Sequence, residues 1–450
     1  MSGSSLVPLA RIKIEGFRAV REMALPLDPQ VTVLFGSNGA GKTTVLDALA
    51  IGLGAMVGRA PNVKGRGFAQ AGDLHVDYGR RVEVTRAHVE LESHAGVVWG
   101  VTRWRSQVDR QREGAPTGPQ RLYQALDPLL KAVMDAPGEP CAPLPLVALY
   151  GNERAVVDVP LRQRDFRKEF SRFEALEGAL SASTRFKAVF EWFLVAEDEE
   201  RRQQQRRRDF SYRLPELEWV RRALEQAELH ISRPRIETRP LRMLVDFHHP
   251  GGEVEVLDIK SLSDGYRTHF ALVVDVARRM VQLNPALEVG EPWRGTNSPA
   301  VILIDEVDLH LDPAWQARVV KGLRQAFPNA QFVLTTHSEQ VVGSVEAHQV
   351  RQLVWSAGEV IAAPVAFAQG ATGERILVEL MGAWERVPGP VTQTLTDYLA
   401  LVSDGLGDGE DARALREALE AALPHDPQLH QADLEMQRRA LLSQLGFGKT

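Results

Sequence analysis

Eight residues constrain this chain more than any others: Gly36-Ser37-Asn38-Gly39-Ala40-Gly41-Lys42-Thr43, with Thr44 directly after them. They fit the spacing G-x-x-x-x-G-K-[ST]. A short apolar run, VTVLF, precedes them, and TTVLDALAIGLGAMV comes after with apolar residues at helical spacing. Strand, glycine turn, helix is an order in which backbone N–H groups converge on phosphate oxygens, and the helix N-terminus adds a favourable dipole. In that setting Lys42 reaches the outer phosphates of a nucleotide and the Thr43 hydroxyl is a candidate Mg2+ ligand.

Two apolar runs farther along end in polar groups, as buried parallel strands do when they present chemistry at their C-terminal ends. Val301-Ile302-Leu303-Ile304 leads into Asp305 and Glu306. A lone Asp-Glu pair is usually surface decoration. After four apolar residues, in a chain with a phosphate loop, Asp305 becomes a candidate Mg2+ ligand and Glu306 a candidate general base for an attacking water. The run AQFVLTTHS places His337 at the end of another such strand, where an imidazole can meet a terminal phosphate; the plain alternative is a core or capping histidine. Earlier in the chain, Ser261-Leu262-Ser263-Asp264-Gly265-Tyr266-Arg267 precedes the helical pattern THFALVVDVARRM, with Ser263 placed as its N-cap.

At 450 residues, 44% hydrophobic and 25% charged, the chain has ample material for a core, which excludes disorder and fibres. The net charge of −6 resides in the tail: Ala371 to Thr450 hold 7 basic and 13 acidic residues, while residues 1–370 balance at 46 of each sign. Average charge therefore gives no sign of a nucleic-acid partner, and the acidic tail suits a protein partner better than DNA. Cys141, the single cysteine, excludes an internal disulfide or a cysteine zinc site and is read as a buried structural thiol in a reducing compartment. With no run of 18 apolar residues, the expectation is a cytoplasmic protein without a membrane partner.

Residues 9–35 alternate as three short strands. Residues 73–105 return to strand alternation in LHVDYG, RVEVTRAHVELE and VVWGVTRW, with an Arg-bearing loop expected after them, and 144–151 form a buried strand. From about Asp165 to Gln226 the composition shifts to a helical insertion that includes FEALEGAL, FKAVFEWFL and LEWVRRALEQA. Its run RRQQQRRRD at 201–209 is read as a solvated face balanced by EDEE at 197–200, with phosphate contact as the alternative. Residues 241–260 form a hairpin turning at Pro250-Gly251-Gly252, which sends the adjacent His248 and His249 to opposite faces and makes them a poor metal pair. Four regions result: 1–151, a first lobe with the phosphate loop; 152–235, the helical insertion; 236–370, a second lobe with the Asp-Glu strand and His337; and 371–450, a helical acidic tail.

In this order, LARIKIEGFRAV, VTVLFGSNGAGKTTVLDALA, LSDGYR, IDEVDLHLDPAWQARVVKGLRQAFPNAQFVLTTHSEQVV and GERILVELMGAWER resemble the RecF/SMC-like prokaryotic AAA-type ATPases with an ABC head. Within that group the chain is most similar to the short, arm-less ATPases of antiphage systems such as Septu, PARIS and retrons. The resemblance implies an α/β P-loop NTPase of ABC-ATPase type: a mixed sheet with antiparallel N-terminal strands, a helical insertion and a helical C-terminal tail. It implies ATP and Mg2+ as cofactors, with Gly36 to Thr44 around the nucleotide, Asp305 completing the metal shell, Glu306 as general base and His337 as switch histidine. Ser263 and Gly265 would act as a signature loop on the phosphate held by the opposite subunit, and Asp312 would cross that interface. Gln70 is the candidate Q-loop glutamine. Asp264 and Tyr266 depart from the usual signature residues, and His310-Leu311-Asp312-Pro313 stands where related proteins often have His-Leu-His-Pro.

Lys42 and Asp305 are 263 residues apart with a signature-like loop between them. A ring-forming AAA+ motor would bring its Asp-Glu strand much nearer, with arginine-finger and sensor elements after it, and a transporter ATPase would be shorter between motifs. The expected function is an ATPase that forms a homodimer or higher homo-oligomer through its ATP sites and controls a separate effector or nuclease subunit in antiphage defence. The alternative is a RecF-like DNA-binding ATPase in repair or maintenance, so DNA stays open as a partner. The tail is too short for a typical nuclease domain.

Overall fold

The computed structural model describes residues 6–77, 82–114, 116–135, 142–152, 170–181, 186–285, 295–356, 359–384 and 386–444; Cys141, read above as a buried thiol, lies outside them. The chain divides into two compact units, Met1–Ile376 and Leu377–Thr450.

A six-stranded sheet organises the first unit, in the order β15 (Glu359–Pro364), β14 (Val350–Ser356), β3 (Val31–Phe35), β13 (Ala330–Thr336), β12 (Ala300–Ile304) and β8 (Leu146–Tyr150). All run parallel except β15, which pairs antiparallel with β14 at the edge. Every residue of β3, β8, β12 and β13 is buried. Covered on both faces, such strands read as unbroken apolar runs rather than as alternation. Phe35 pairs with Thr336, so β3 and β13 end level, and Ile304 pairs with Leu334, so β12 ends two residues earlier on the same side. The glycine loop, Asp305 and His337 consequently leave the same edge, the carboxyl end at which open α/β sheets bind ligands.

Helix α1 (Lys42–Val57) begins at the end of the glycine loop and is buried on nearly all sides, which explains an apolar sequence with no polar stripe. It packs against β8, β12 and β13 of the large sheet and against β1, β6 and β7 of an antiparallel one. That second sheet has the order β2 (Val20–Pro26), β1 (Leu9–Phe17), β6 (Arg86–Ser93), β7 (Val98–Trp104). Its half-buried strands show the alternation expected of a sheet covered on one face. Fully buried Trp99 pins it to the helix, its indole Nε1–H donating to the Gly52 carbonyl at 3.0 Å. Among its described residues, the segment LHVDYG contributes β4 (Val76–Asp77), paired with β5 (Val82–Glu83), and a bridge from Leu74 to Phe17.

The Arg-bearing stretch after Trp104 is a short helix rather than a loop. Ser106 accepts the Asp109 N–H and starts α2 (Gln107–Glu113), with α3 (Gln120–Asp135) next in the chain. In the insertion, FEALEGAL forms a 3-10 turn over Arg172–Leu176 rather than an α-helix. The buried guanidinium of Arg279 donates to the carbonyls of Ala175 and Glu177 at 2.6 and 3.1 Å, acceptors that a continuing helix would use internally. Two true helices come next, α4 (Phe186–Arg207) and α5 (Pro215–Gln226).

The hairpin at 241–260 turns where the sequence places it, joining β10 (Leu241–His248) to β11 (Val254–Asp258), with β9 (Ile231–Thr238) on the other side. His248 bonds Ser232 at 2.7 Å and His249 bonds Glu255 at 3.1 Å, so the two rings take separate partners. Helices α6 (Asp264–Leu283) and α7 (Pro313–Ala326) then pack on α5, and the short α8 (Glu339–Gly343) and α9 (Gly373–Arg375) close the unit. Strands β14 and β15 are additions to the sequence reading, because Arg351 and Gln352 interrupt the apolar run of β14.

The second unit contains α10 (Pro390–Ser403), α11 (Glu410–Ala422) and α12 (Pro427–Gln444) around Leu395, Tyr398, Val402, Leu419 and Leu429. Arg386 to Asp426 and Arg416 to Asp433 tie it internally. No described helix is long and apolar enough to cross a membrane.

Candidate nucleotide-binding site

The loop from Gly36 to Gly41 leaves β3 beneath the backbone of β14. A Cβ on Gly36, whose φ is 157°, would stand 2.3 Å from the Leu353 carbonyl oxygen, so only glycine fits there. The Ala40 N–H donates back to the Ser37 carbonyl at 3.1 Å, which closes the turn and leaves Ser37, Asn38 and Gly39 exposed on its rim. Gly41 caps α1 in a left-handed conformation with no side chain to serve the first N–H groups of the helix. Those donors, on Lys42, Thr43 and Thr44, have no partner within the helix and suit an anion. Lys42 is only 8% exposed, and its Nζ donates to the carbonyls of Gly36 and Ser37 at 2.9 and 3.2 Å. Burial lowers its pKa, and the charges of Asp305, Glu306 and Asp308 offset that only in part.

Across the sheet edge, the Thr43 hydroxyl donates to Asp305 Oδ2 at 2.9 Å. Asp305 is buried just past β12, and its other oxygen, Oδ1, accepts the Thr335 hydroxyl at 2.5 Å. Thr335 Oγ1 in turn accepts the Glu306 backbone N–H at 2.7 Å. Glu306 adopts φ 48°, a left-handed conformation that costs a non-glycine residue about 1–2 kcal/mol. Thr336 donates to Asp308 at 2.6 Å, so both threonines of FVLTTHS hold the loop after the Asp-Glu strand. Sequence reasoning missed Thr335, Thr336 and Asp308; the adjacency of β12 and β13 is what brings them in. His337 comes directly after β13 and is exposed; the next residue, Ser338, caps α8 and bonds Gln316 at 2.7 Å.

The remaining candidates form a second group. Ser263 is the exposed N-cap of α6, with its hydroxyl making no cap bond. Gly265 lies against the loop after the Asp-Glu strand: a Cβ there would come within 2.3 Å of the His310 carbonyl oxygen. Asp312 caps α7, accepting the N–H groups of Ala314 and Trp315 at 3.0 and 3.1 Å. Between them Tyr266 packs edge-on to Trp315 at 4.1 Å and to Phe247 at 5.0 Å. The structure thus sets the Ser263 segment beside the Asp312 loop. Gln70 is exposed, and its backbone carbonyl accepts from Arg103 of β7.

A buried charge cluster stands behind the site. Asp275 of α6 accepts Arg278 at 2.7 Å, Arg279 at 2.8 Å and the Tyr150 hydroxyl at 2.9 Å. Tyr150 ends β8, and its carbonyl accepts the Asp305 N–H at 2.8 Å. Helix α6 is therefore linked to the Asp-Glu strand through a single residue.

With this geometry in place, comparison with known proteins is direct. AAA domain families match residues 11–231 and residues 155–343, the second described as a putative AbiEii toxin of a type IV toxin-antitoxin system. The "Retron Ec83 probable ATPase" of Escherichia coli is 25% identical across 96% of this chain and 87% of its own length. Its counterpart from Vibrio cholerae, the "Retron Vc95 probable ATPase", is 25% identical over 72% of this chain and 69% of its own. The "Septu protein PtuA" of Bacillus mycoides is 41% identical over 80 residues, 18% of this chain and 10% of that protein. The homologues of this chain are retron probable ATPases and Septu PtuA.

The chain is an ATPase with AAA domains. Solved SMC heads, among them one from Thermotoga maritima, align over 80% of it at 15% identity with TM-scores of 0.43 and 0.35.

Proposed function

We propose that the chain is an ABC-type ATPase whose two copies close on ATP and whose nucleotide state controls a partner effector or nuclease in antiphage defence. The observation that carries the chemistry is the 2.9 Å bond between the Thr43 hydroxyl and Asp305, with Glu306 held alongside through Thr335. A hydroxyl and a carboxylate are hard oxygen donors of the kind Mg2+ takes, so the residues present fit that ion. Bound there, Mg2+ would neutralise charge developing on the phosphates. Lys42 and the first N–H groups of α1 bind the phosphates, and the Glu306 carboxylate accepts the proton of the attacking water, the role its pairing with Asp305 suggests. His337, at the same sheet edge, contacts the terminal phosphate.

Ser263 and Gly265 complete the site of the opposite copy, and Asp312 stands at that interface. The exposure of Ser263 and the packing of Gly265 against the loop that leads to Asp312 support a shared surface. Relatives named for retrons and Septu support the defence role. The acidic residues 371–450 provide a surface for the partner.

Mixing inactive Lys42→Ala and Ser263→Arg subunits tests the sharing. Each homodimer has two defective sites, whereas a mixed dimer regains one complete site. Recovered ATP hydrolysis supports the trans arrangement. Activity no higher than the sum of the separate variants, in a mixture shown to exchange subunits, overturns it.

A further inference from the structure

The turn joining α4 to α5 exposes an aromatic ring among arginines. Phe210 is 80% exposed, and Arg206, Arg207, Arg208 and Arg213 are exposed around it. The sequence reads the run 201–209 as a solvated face balanced by residues 197–200; the structure pairs Arg201 and Arg202 with those acids and leaves Arg206, Arg207 and Arg208 beyond their reach. Glu197 pairs with Arg201 and approaches the Ile236 N–H, Asp198 pairs with Arg202, and Glu199 takes Gln203. Glu200 accepts Arg221 and the Leu214 N–H. All four acids are engaged at or below the level of Arg202 and Gln203 or on neighbouring elements. Among the described residues no carboxylate forms an ion pair with Arg206, Arg207 or Arg208. Asp209, the acid within the turn, accepts the Ser211 N–H and hydroxyl at 2.9 and 2.6 Å.

The turn is also held in shape. Arg207 lies over the Tyr212 ring at 4.2 Å, Gln204 donates to the Tyr212 carbonyl at 2.9 Å, and Arg213 donates to the carbonyls of Phe210 and Tyr212 at 3.1 Å. Tyr212 is thereby covered, while Phe210 offers an open face. A preformed surface loses less entropy on binding than a mobile one.

We propose that this turn binds a single-stranded polynucleotide, with a base stacked on Phe210 and phosphates held by Arg206, Arg207 and Arg208. The ligand must supply repeated anions together with flat apolar rings. Unpaired nucleotides supply both in every repeat unit; polyglutamate supplies charge without rings, and a duplex hides its base faces. The contacts proposed are to phosphates and base faces, which DNA and RNA strands share, so both are expected to bind. This assignment is independent of the dimer model, because none of these residues belongs to the nucleotide site.

The test is fluorescence anisotropy on the full chain with labelled oligothymidylate and oligouridylate of about 20 nucleotides, longer than one small binding site. A duplex of equal length and polyglutamate are the comparisons. Both single strands are expected to bind more tightly than either comparison. Phe210→Ala is expected to weaken strand binding about tenfold, with Phe210→Trp restoring it. Replacing Arg206, Arg207 and Arg208 by Ser together is expected to flatten the salt dependence of log K by about 2. ATP hydrolysis, expected to stay at the wild-type rate in all these variants, reports that they fold. Equal binding of polyglutamate or duplex by the wild-type chain overturns the proposal, as does full strand affinity in folded Phe210→Ala.

Discussion

Thr43 and Asp305 lie 262 residues apart in the chain and are joined by a 2.9 Å hydrogen bond. The bond forms because β3 and β12 flank β13 in parallel, so the glycine loop that leaves β3 brings the start of α1, with Thr43, against Asp305, the first residue past β12. Thr43→Val removes the hydroxyl while keeping the shape. It is expected to abolish Mg2+-dependent hydrolysis and leave Mg2+-free nucleotide binding within a few-fold of wild type, with Thr43→Ser restoring turnover. Titration with a fluorescent nucleotide, with and without Mg2+, separates the two effects.

Thr335 holds both acidic residues from a fully buried position, donating to Asp305 and accepting from the Glu306 N–H. Thr335→Val leaves that N–H without its acceptor, at an expected cost of about 1–3 kcal/mol. Turnover is expected to fall with little change in Mg2+-free nucleotide affinity, since the hydroxyl orients Asp305, the metal ligand, and Glu306, the base, rather than Lys42 and the N–H groups that hold the phosphates. Urea unfolding and kcat, measured together, check this, and Thr335→Ser should recover both.

Glu306 stands at φ 48°, where a side chain is strained. Glu306→Gly is expected to raise unfolding free energy by about 1 kcal/mol while eliminating hydrolysis, whereas Glu306→Gln eliminates hydrolysis without that gain. Paired denaturation curves distinguish the two. A stabilised, inactive Gly variant would identify strain maintained at a functional position.

Much of this site is legible in the sequence, and the division has a physical cause. Val31 to Phe35 and Ala300 to Ile304 are recognisable because strands buried on both faces must be apolar throughout, and the first residues past their carboxyl ends sit where ligands bind. The contribution of Thr335 is not recognisable: FVLTTHS contains two threonines, and only the pairing of β13 with β12 directs one of them between Asp305 and Glu306. For the same reason FEALEGAL reads as helix, since Arg279, which takes its carbonyls, lies about a hundred residues away. The arginines at 206–208 look balanced in a linear count, but their supposed partners bond elsewhere.

Asp275 is fully buried among Arg278, Arg279 and the Tyr150 hydroxyl. Burial raises its pKa, but Arg279 and Arg278 outweigh that and hold it at about 2, below the usual carboxylate value. Its contribution to stability is therefore complete above the unfolded-state pKa near 4 and is lost as pH falls through about 2. Asp275→Asn leaves two buried guanidiniums short of charge, and an expected loss is about 3–5 kcal/mol at neutral pH. Denaturation of both proteins between pH 7 and pH 2 should show the difference shrinking only in the acid range, below about pH 4.

The most direct test of ATP-driven dimer closure is the mass of Glu306→Gln in solution with ATP and Mg2+, measured by sedimentation. Hydrolysis should be absent, and the protein should sediment as a dimer or higher assembly that dissociates when nucleotide is removed, while Lys42→Ala should show no ATP-dependent assembly. A Glu306→Gln protein whose mass is indifferent to ATP, or which hydrolyses ATP at the wild-type rate, would contradict it.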